Sequence, residues 1–188
     1  MFPITPYSGT TENLAWYSDI FTEQELDNLQ YQAKNARTPA MTGRGINNDV
    51  RRSQISWLND TEENINIFKK LAHVASELNA KYFRFDLTGF GEPLQLTNYG
   101  ESNNGNYSWH QDYGSIISRK LSLVVQLTDP SEYDGGNLQT MTSGEVTNVK
   151  KQRGLVVAFP SFILHQVTPV TRGSRQSLVS WISGVPFR

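Results

Sequence analysis

Apolar positions recur at helical intervals in two stretches near the start of the chain and in short β-prone runs after about residue 94. Thr22 and Glu25 stand at capping-box spacing, and Leu26, Leu29 and Ala33 follow on one face until Arg37-Thr38-Pro39 ends the pattern, which predicts a first helix. Asp60 with Glu63 reads as a second start signal. Ile67, Leu71, Val74, Ala75 and Leu78 then share one side of a helical wheel, with His73 on the opposite, solvated side. The later runs, Leu94 to Tyr99, Leu121 to Thr128, Leu138 to Met141, Glu145 to Val149, Leu155 to Phe159, Leu164 to Val167 and Leu178 to Ser183, are bounded by turn residues and predict strands. Helices first and strands later imply an α+β chain whose helices pack on one sheet of a β-sandwich or jelly roll, rather than alternating around a parallel sheet. Pro39 to Asp49 and Gly100 to Ser108 show no period, are rich in Gly and Asn, and read as loops able to serve as lids.

Composition narrows the chemistry. At 188 residues the chain suits one domain around one core; residues 1–93 would form a mainly helical part and residues 94–188 the β core. Seventeen Lys and Arg against eighteen Asp and Glu leave no cationic surplus for a nucleic-acid backbone, and Lys150, Lys151 and Arg153 are too few to form a patch. The start of the chain is neither basic nor apolar, and no apolar stretch is long enough to cross a membrane, so a cytoplasmic location with neither nucleic-acid nor membrane partners is expected. The absence of cysteine removes disulfides, thiolate metal sites and cysteine nucleophiles, so any metal must be held by nitrogen and oxygen.

Three histidines are available. His73 reads as surface. His110 and Asp112, two residues apart, would point the same way from a strand, which is metal-ligand spacing but equally suits an Asp orienting a structural His. His165 lies in an apolar run, where a lone His is more often a hydrogen-bonded core residue. Converging, the three would form the two-imidazole, one-carboxylate facial triad that leaves coordination positions open for oxygen chemistry. Ligation needs neutral imidazoles, so with ordinary histidine pKa values metal affinity should fall below about pH 6.5. Arg175 and Ser177 would project from one strand face; Arg175 offers a two-pronged donor for a carboxylate, or a surface salt bridge. Arg44, Arg51 and Arg52 are candidates to meet a carboxylate or peptide carbonyl, or plain solvated surface.

With these residues stand Tyr99, Arg119, Leu127-Thr128-Asp129-Pro130, Tyr133-Asp134-Gly135-Gly136-Asn137-Leu138, Pro160-Ser161, Gln166-Val167-Thr168-Pro169-Val170, Arg172-Gly173-Ser174 and Trp181, in an order and spacing that resemble the Fe(II)- and 2-oxoglutarate-dependent oxygenases. Within them the resemblance is to the prolyl 4-hydroxylase-like group, above all the bacterial and phage PKHD-type hydroxylases. It covers roughly residues 94 to 188, with Arg52 to Leu58 a weaker N-terminal continuation.

The resemblance implies a double-stranded β-helix in which His110, Asp112 and His165 bind Fe(II). 2-Oxoglutarate would chelate the metal and place its far carboxylate on Arg175, assisted by Ser177 and Tyr99. Gln126 stands where many prolyl hydroxylases have a tyrosine that also holds this carboxylate. The implied reaction uses O2 to hydroxylate an unactivated C–H bond, with release of succinate and CO2, and ascorbate is a candidate reductant. A prolyl residue in a peptide or protein is the implied substrate, and Trp57, Tyr107, Trp109 and Tyr113 are candidates for an aromatic wall around it. The alternatives are a non-catalytic jelly-roll binding module, which the full set of ligating residues disfavours, and a cupin-like metalloenzyme without 2-oxoglutarate, which Arg175 disfavours.

Overall fold

The structure, a computed structural model, describes residues 12–42, 45–114 and 117–186; Arg44 lies outside the described residues. The larger antiparallel sheet runs in the order β1 (Ala15–Tyr17), β12 (Val156–Pro160), β8 (Arg119–Gln126), β14 (Val170–Gly184), β6 (Leu94–Gly100), β4 (Gln54–Leu58) and β2 (Thr38–Pro39). Two further strands, β5 (Leu87–Phe90) and β9 (Tyr133–Gly135), pair with the ends of β14. The smaller sheet runs β11 (Glu145–Asn148), β10 (Leu138–Thr142), β13 (Leu164–Val167), β7 (Asn106–His110) and β3 (Arg51–Arg52). Two such sheets face to face form the jelly roll, and α1 (Glu23–Lys34) and α2 (Ile65–Leu78) cover the outer face of the larger one.

Alternation along the strands divides the apolar residues into two cores. Leu94 and Leu96 of β6, Leu121, Leu123 and Val125 of β8, Val156 and Ala158 of β12, and Leu178 and Ile182 of β14 point outward. They meet Leu26, Leu29 and Ala33 of α1 and Leu71, Val74 and Leu78 of α2. Burial of each Leu-sized side chain there contributes roughly 1.5–3 kcal/mol, which holds the short helices on the sheet. The intervening residues point inward: Tyr99, Val124, Val157 and Phe159 pack with Leu138 and Val167 of the smaller sheet.

The Thr22 capping box forms as the sequence predicts, with Thr22 Oγ1 accepting from the Glu25 backbone and Glu25 accepting from the Thr22 N–H. The second start signal does not act as one. A turn in which the backbone N–H groups of Asn64 and Ile65 donate to the Thr61 carbonyl delays α2 until Ile65, with no side-chain cap. His73 is exposed and packs edge-on against Tyr17. Residues 106–108, read as loop, belong to β7; their polar side chains hide the strand because its partners β13 and β3, not an apolar face, define it. The part before residue 94 also contributes β1 to β5, strands of two to five residues, too short for a periodic signal. β14 begins at Val170, well before Leu178, because Arg175, Gln176 and Ser177 are polar yet buried.

Candidate metal and dicarboxylate site

A cavity of about 700 Å³ opens between the sheets, lined by His110, Asp112, His165, Arg175, Ser177 and Tyr99 among others. β7 and β13 bring the imidazoles together, because His110 pairs directly with His165 in the register and their ring centroids lie 4.1 Å apart. Beyond the end of β7, the N–H groups of Asp112 and Tyr113 both donate to the Ser161 carbonyl at 2.9 Å, which turns the Asp112 carboxylate back towards the two rings. Asp112 Oδ1 lies 3.8 Å from His110 Nε2, and Oδ2 lies 3.5 Å from His165 Nε2. One ligand atom from each residue falls within 4.8 Å of the others, close enough for all three to hold one metal ion.

The backbone sets the tautomers. Nδ1 of His110 lies 2.8 Å from the Ser108 carbonyl, and Nδ1 of His165 lies 2.9 Å from the Ile163 carbonyl. A carbonyl only accepts, so each Nδ1 carries the hydrogen and each Nε2 turns a lone pair towards the common point. Burial, and then the neighbouring His165, push the pKa of His110 down to about 3, against the pull of Asp112. Burial alone would raise the Asp112 carboxyl, but the adjacent His165 and His110, with hydrogen bonding that includes Ser122, hold it below its usual value. Two neutral imidazoles and one carboxylate are the protonation states that a divalent cation requires. Ser122 Oγ donates to Asp112 Oδ2 at 2.7 Å and lies 3.0 Å from Ser161 Oγ, and both serines are fully buried. This pair fixes the carboxylate from behind.

Arg175 lies across the cavity, 2% exposed. Its Nη1 donates to Ser177 Oγ at 3.5 Å, and its guanidinium stands 5.6 Å from the Tyr99 ring, its register partner on β6. Nη2 is buried without a hydrogen-bond partner among the described residues. Such an orphan is costly, and it faces a cavity that a carboxylate could enter. Gly136, at φ +55°, makes room for the long side chain, since a Cβ there would lie 3.1 Å from Arg175 Cδ.

The remaining expected residues divide. Trp57, Tyr107 and Tyr113 line the cavity; Trp109 does not. Between the pairs His165–His110 and Val167–Tyr107 β7 carries one extra residue, so Tyr107 joins His110 on the inner face and stacks on it at 3.4 Å, while ordinary alternation turns Trp109, next to His110, away. Gln126 is also absent from the lining; its amide donates to the Lys150 carbonyl at 2.6 Å, which occupies the group expected to meet the cosubstrate. The sequence reading missed Ser122 and Glu92. Ser122 was detectable as the lone hydroxyl in an apolar strand, in phase with inward-facing Val124. Glu92 grips Arg119 at 2.6 Å through both carboxylate oxygens, and Arg119 lies 3.9 Å over the Trp181 ring; only the folded chain brings these together.

Residues 94–183 match the model of the 2OG-Fe(II) oxygenase superfamily. A PKHD-type hydroxylase of Prochlorococcus marinus is 39% identical over 87 residues, 45% of this chain and 39% of that protein. A PKHD-type hydroxylase of Nitrosomonas europaea is 29% identical over 180 residues, 89% of this chain and 77% of that protein. The crystal structure of a Pseudomonas putida prolyl-4-hydroxylase superposes with a TM-score of 0.76 at 21% identity, over 92% of this chain and 94% of the other. The superposition shows that the jelly roll has the fold of that prolyl-4-hydroxylase, and residues 94–183 are similar to the 2OG-Fe(II) oxygenase superfamily. The family implies Fe(II) and 2-oxoglutarate, and the nitrogen and oxygen donor set together with the orphaned Arg175 fits both. No helix among the described residues is long and apolar enough to cross a membrane.

Proposed function

We propose that the protein is an Fe(II)- and 2-oxoglutarate-dependent dioxygenase that hydroxylates a prolyl residue in a peptide or protein. When bound, iron and 2-oxoglutarate supply the oxidising chemistry, in which O2 and 2-oxoglutarate become succinate, CO2 and the hydroxyl oxygen of the product. The chain's own residues ligate, orient and exclude water. His110, Asp112 and His165 hold the metal through the Nε2 atoms and one carboxylate oxygen, and Ser122 keeps the carboxylate from rotating away. Arg175 takes the far carboxylate of 2-oxoglutarate on Nη2, with Ser177 and Tyr99 shaping the pocket around it. Trp57 and Trp181, with centroids 6.4 Å apart, and Tyr113 form apolar walls suited to a proline ring. Ascorbate would serve to keep the metal ferrous.

The observation that carries this reading is one cavity holding both a three-ligand metal set and a buried guanidinium whose Nη2 has no hydrogen-bond partner among the described residues. A binding module, or a metalloenzyme without a dicarboxylate, would leave Arg175 Nη2 desolvated to no purpose. The test is succinate release from 2-oxoglutarate with Fe(II), with and without a library of proline-containing peptides. Succinate formation that needs Fe(II) and rises with one peptide class, accompanied by a gain of one oxygen atom on proline, is the expected result. Absence of any Fe(II)-dependent succinate would refute the proposal.

A further inference from the structure

We infer that Arg51 is a recognition site for a carboxylate carried by the substrate close to the carbon that is oxidised; this rests on the dioxygenase reading above and names the substrate class that the site accepts. Arg51, on β3, is 7% exposed and lines the same cavity as the metal ligands. Its Nε donates to Ser53 Oγ at 2.9 Å and its Nη2 to Gln95 Oε1 at 2.7 Å, and its guanidinium lies 4.5 Å over the Tyr107 ring. All of these partners are neutral. Nη1 has no partner among the described residues, and no described carboxylate forms an ion pair with Arg51.

The charges around the cavity locate the surplus. Its described lining carries three guanidinium groups, Arg51, Arg119 and Arg175, and two carboxylates, Glu92 and Asp112. Arg119 is neutralised by the two-pronged contact with Glu92. A divalent metal and a dianionic cosubstrate add no net charge, Asp112 belongs to the metal, and Arg175 belongs to the cosubstrate. The loaded cavity therefore keeps one positive charge, and pairing leaves it on Arg51. An isolated buried cation is costly unless something anionic completes it. Ser53, Gln95 and Tyr107 hold the guanidinium in place, so an arriving anion meets a fixed fork rather than a flexible side chain.

The location limits the ligand. Tyr107, 4.5 Å from the Arg51 guanidinium carbon, stacks on the His110 imidazole at 3.4 Å, which places that carbon within roughly 8 Å of a metal-ligating ring. A carboxylate bound there must belong to the molecule being oxidised, separated from the reacting C–H bond by a few bonds. A peptide offers it in two ways, as an Asp or Glu side chain beside the modified residue or as a free C-terminus.

The experiment compares matched peptides on the Fe(II)-loaded wild-type enzyme by succinate release and product mass. One arm sets Asp or Glu against Asn or Gln on either side of proline, and the other sets a C-terminal acid against its amide. One acid member should be favoured in kcat/KM by roughly 10- to 100-fold, the ratio for a charge-assisted pair worth about 1.5–3 kcal/mol, and the arm in which this occurs identifies the carboxylate. Arg51→Gln should reduce the preference to near unity, while Arg51→Lys, which keeps the charge without the fork, should retain part of it. Equal use of acid and amide members by the wild type, a comparison that needs no variant to fold, would overturn the inference and leave the dioxygenase reading intact, as would a preference that survives Arg51→Gln. Failure to consume 2-oxoglutarate with any peptide or with none would overturn both.

Discussion

Arg175→Met separates stability from binding, because the two should move in opposite directions. The wild-type side chain is a guanidinium buried to 2% exposure whose Nη2 has no partner among the described residues and which repels a second cation, Lys151, adding to burial in lowering its pKa. Met fills a similar length without the charge, so the metal-free variant loses a desolvated cation and one long hydrogen bond to Ser177 at 3.5 Å. Replacement of buried ionic groups by apolar ones of similar volume is often neutral or stabilising by about 1–4 kcal/mol, and the expectation is a metal-free protein at least as stable as wild type. For 2-oxoglutarate the change removes a charge-assisted fork worth about 3–5 kcal/mol, a weakening of roughly 200- to 5,000-fold. Denaturant unfolding of the metal-free protein gives the first quantity, and calorimetric titration of 2-oxoglutarate into Mn(II)-loaded protein gives the second. A variant that is destabilised by more than about 2 kcal/mol while binding 2-oxoglutarate normally would make Arg175 a structural residue and refute the reasoning.

Other consequences follow from the same geometry. Because burial and His165 depress His110 to about 3 from 6.5, the unfolded chain takes up this proton first; the associated stability is fully present above pH 6.5 and is lost as pH falls towards 3, at up to about 1.4 kcal/mol per pH unit. Urea melts of metal-free protein between pH 7.5 and 4.5 should show this slope, and His110→Asn should flatten it. Ser122→Ala, which frees the Asp112 carboxylate, should weaken Mn(II) binding by roughly 10-fold or more in a calorimetric titration, with Ser161→Ala having a smaller effect because Ser161 touches Ser122. Trp109→Ala should leave the KM for a peptide substrate within about 2-fold, whereas Trp57→Ala should raise it; steady-state kinetics on one peptide would distinguish them.

The sequence made the site more legible than its surroundings. His110, Asp112, His165 and Arg175 were readable because chemistry restricts residue type, and two imidazoles, a carboxylate and a guanidinium stand out in a chain with three histidines and no cysteine. α1 was legible through its capping box and apolar face, and the central strands through their apolar runs. What escaped depends on pairing rather than on local pattern. β3 has two residues and exists only by its contacts with Tyr107 and Asn106. The extra residue in β7 reverses the phase of Tyr107 relative to His110, and no periodic reading from one end of the strand detects it. Gln126 sits at a position where the resemblance predicts a cosubstrate contact, but the Lys150 carbonyl claims its amide, a partner twenty-four residues away in sequence. The lowered pKa of His110 was likewise not legible, because it comes from burial beside His165, a neighbour that only the folded chain supplies.

The most direct measurement is calorimetric titration of 2-oxoglutarate into wild-type protein with and without bound Mn(II), under conditions that exclude turnover. A diacid spanning the metal held by His110, Asp112 and His165 and the guanidinium of Arg175 should bind at one site per chain when the metal is present and at least 100-fold more weakly when it is absent. Equal binding with and without metal, or no heat in either case, would contradict the account.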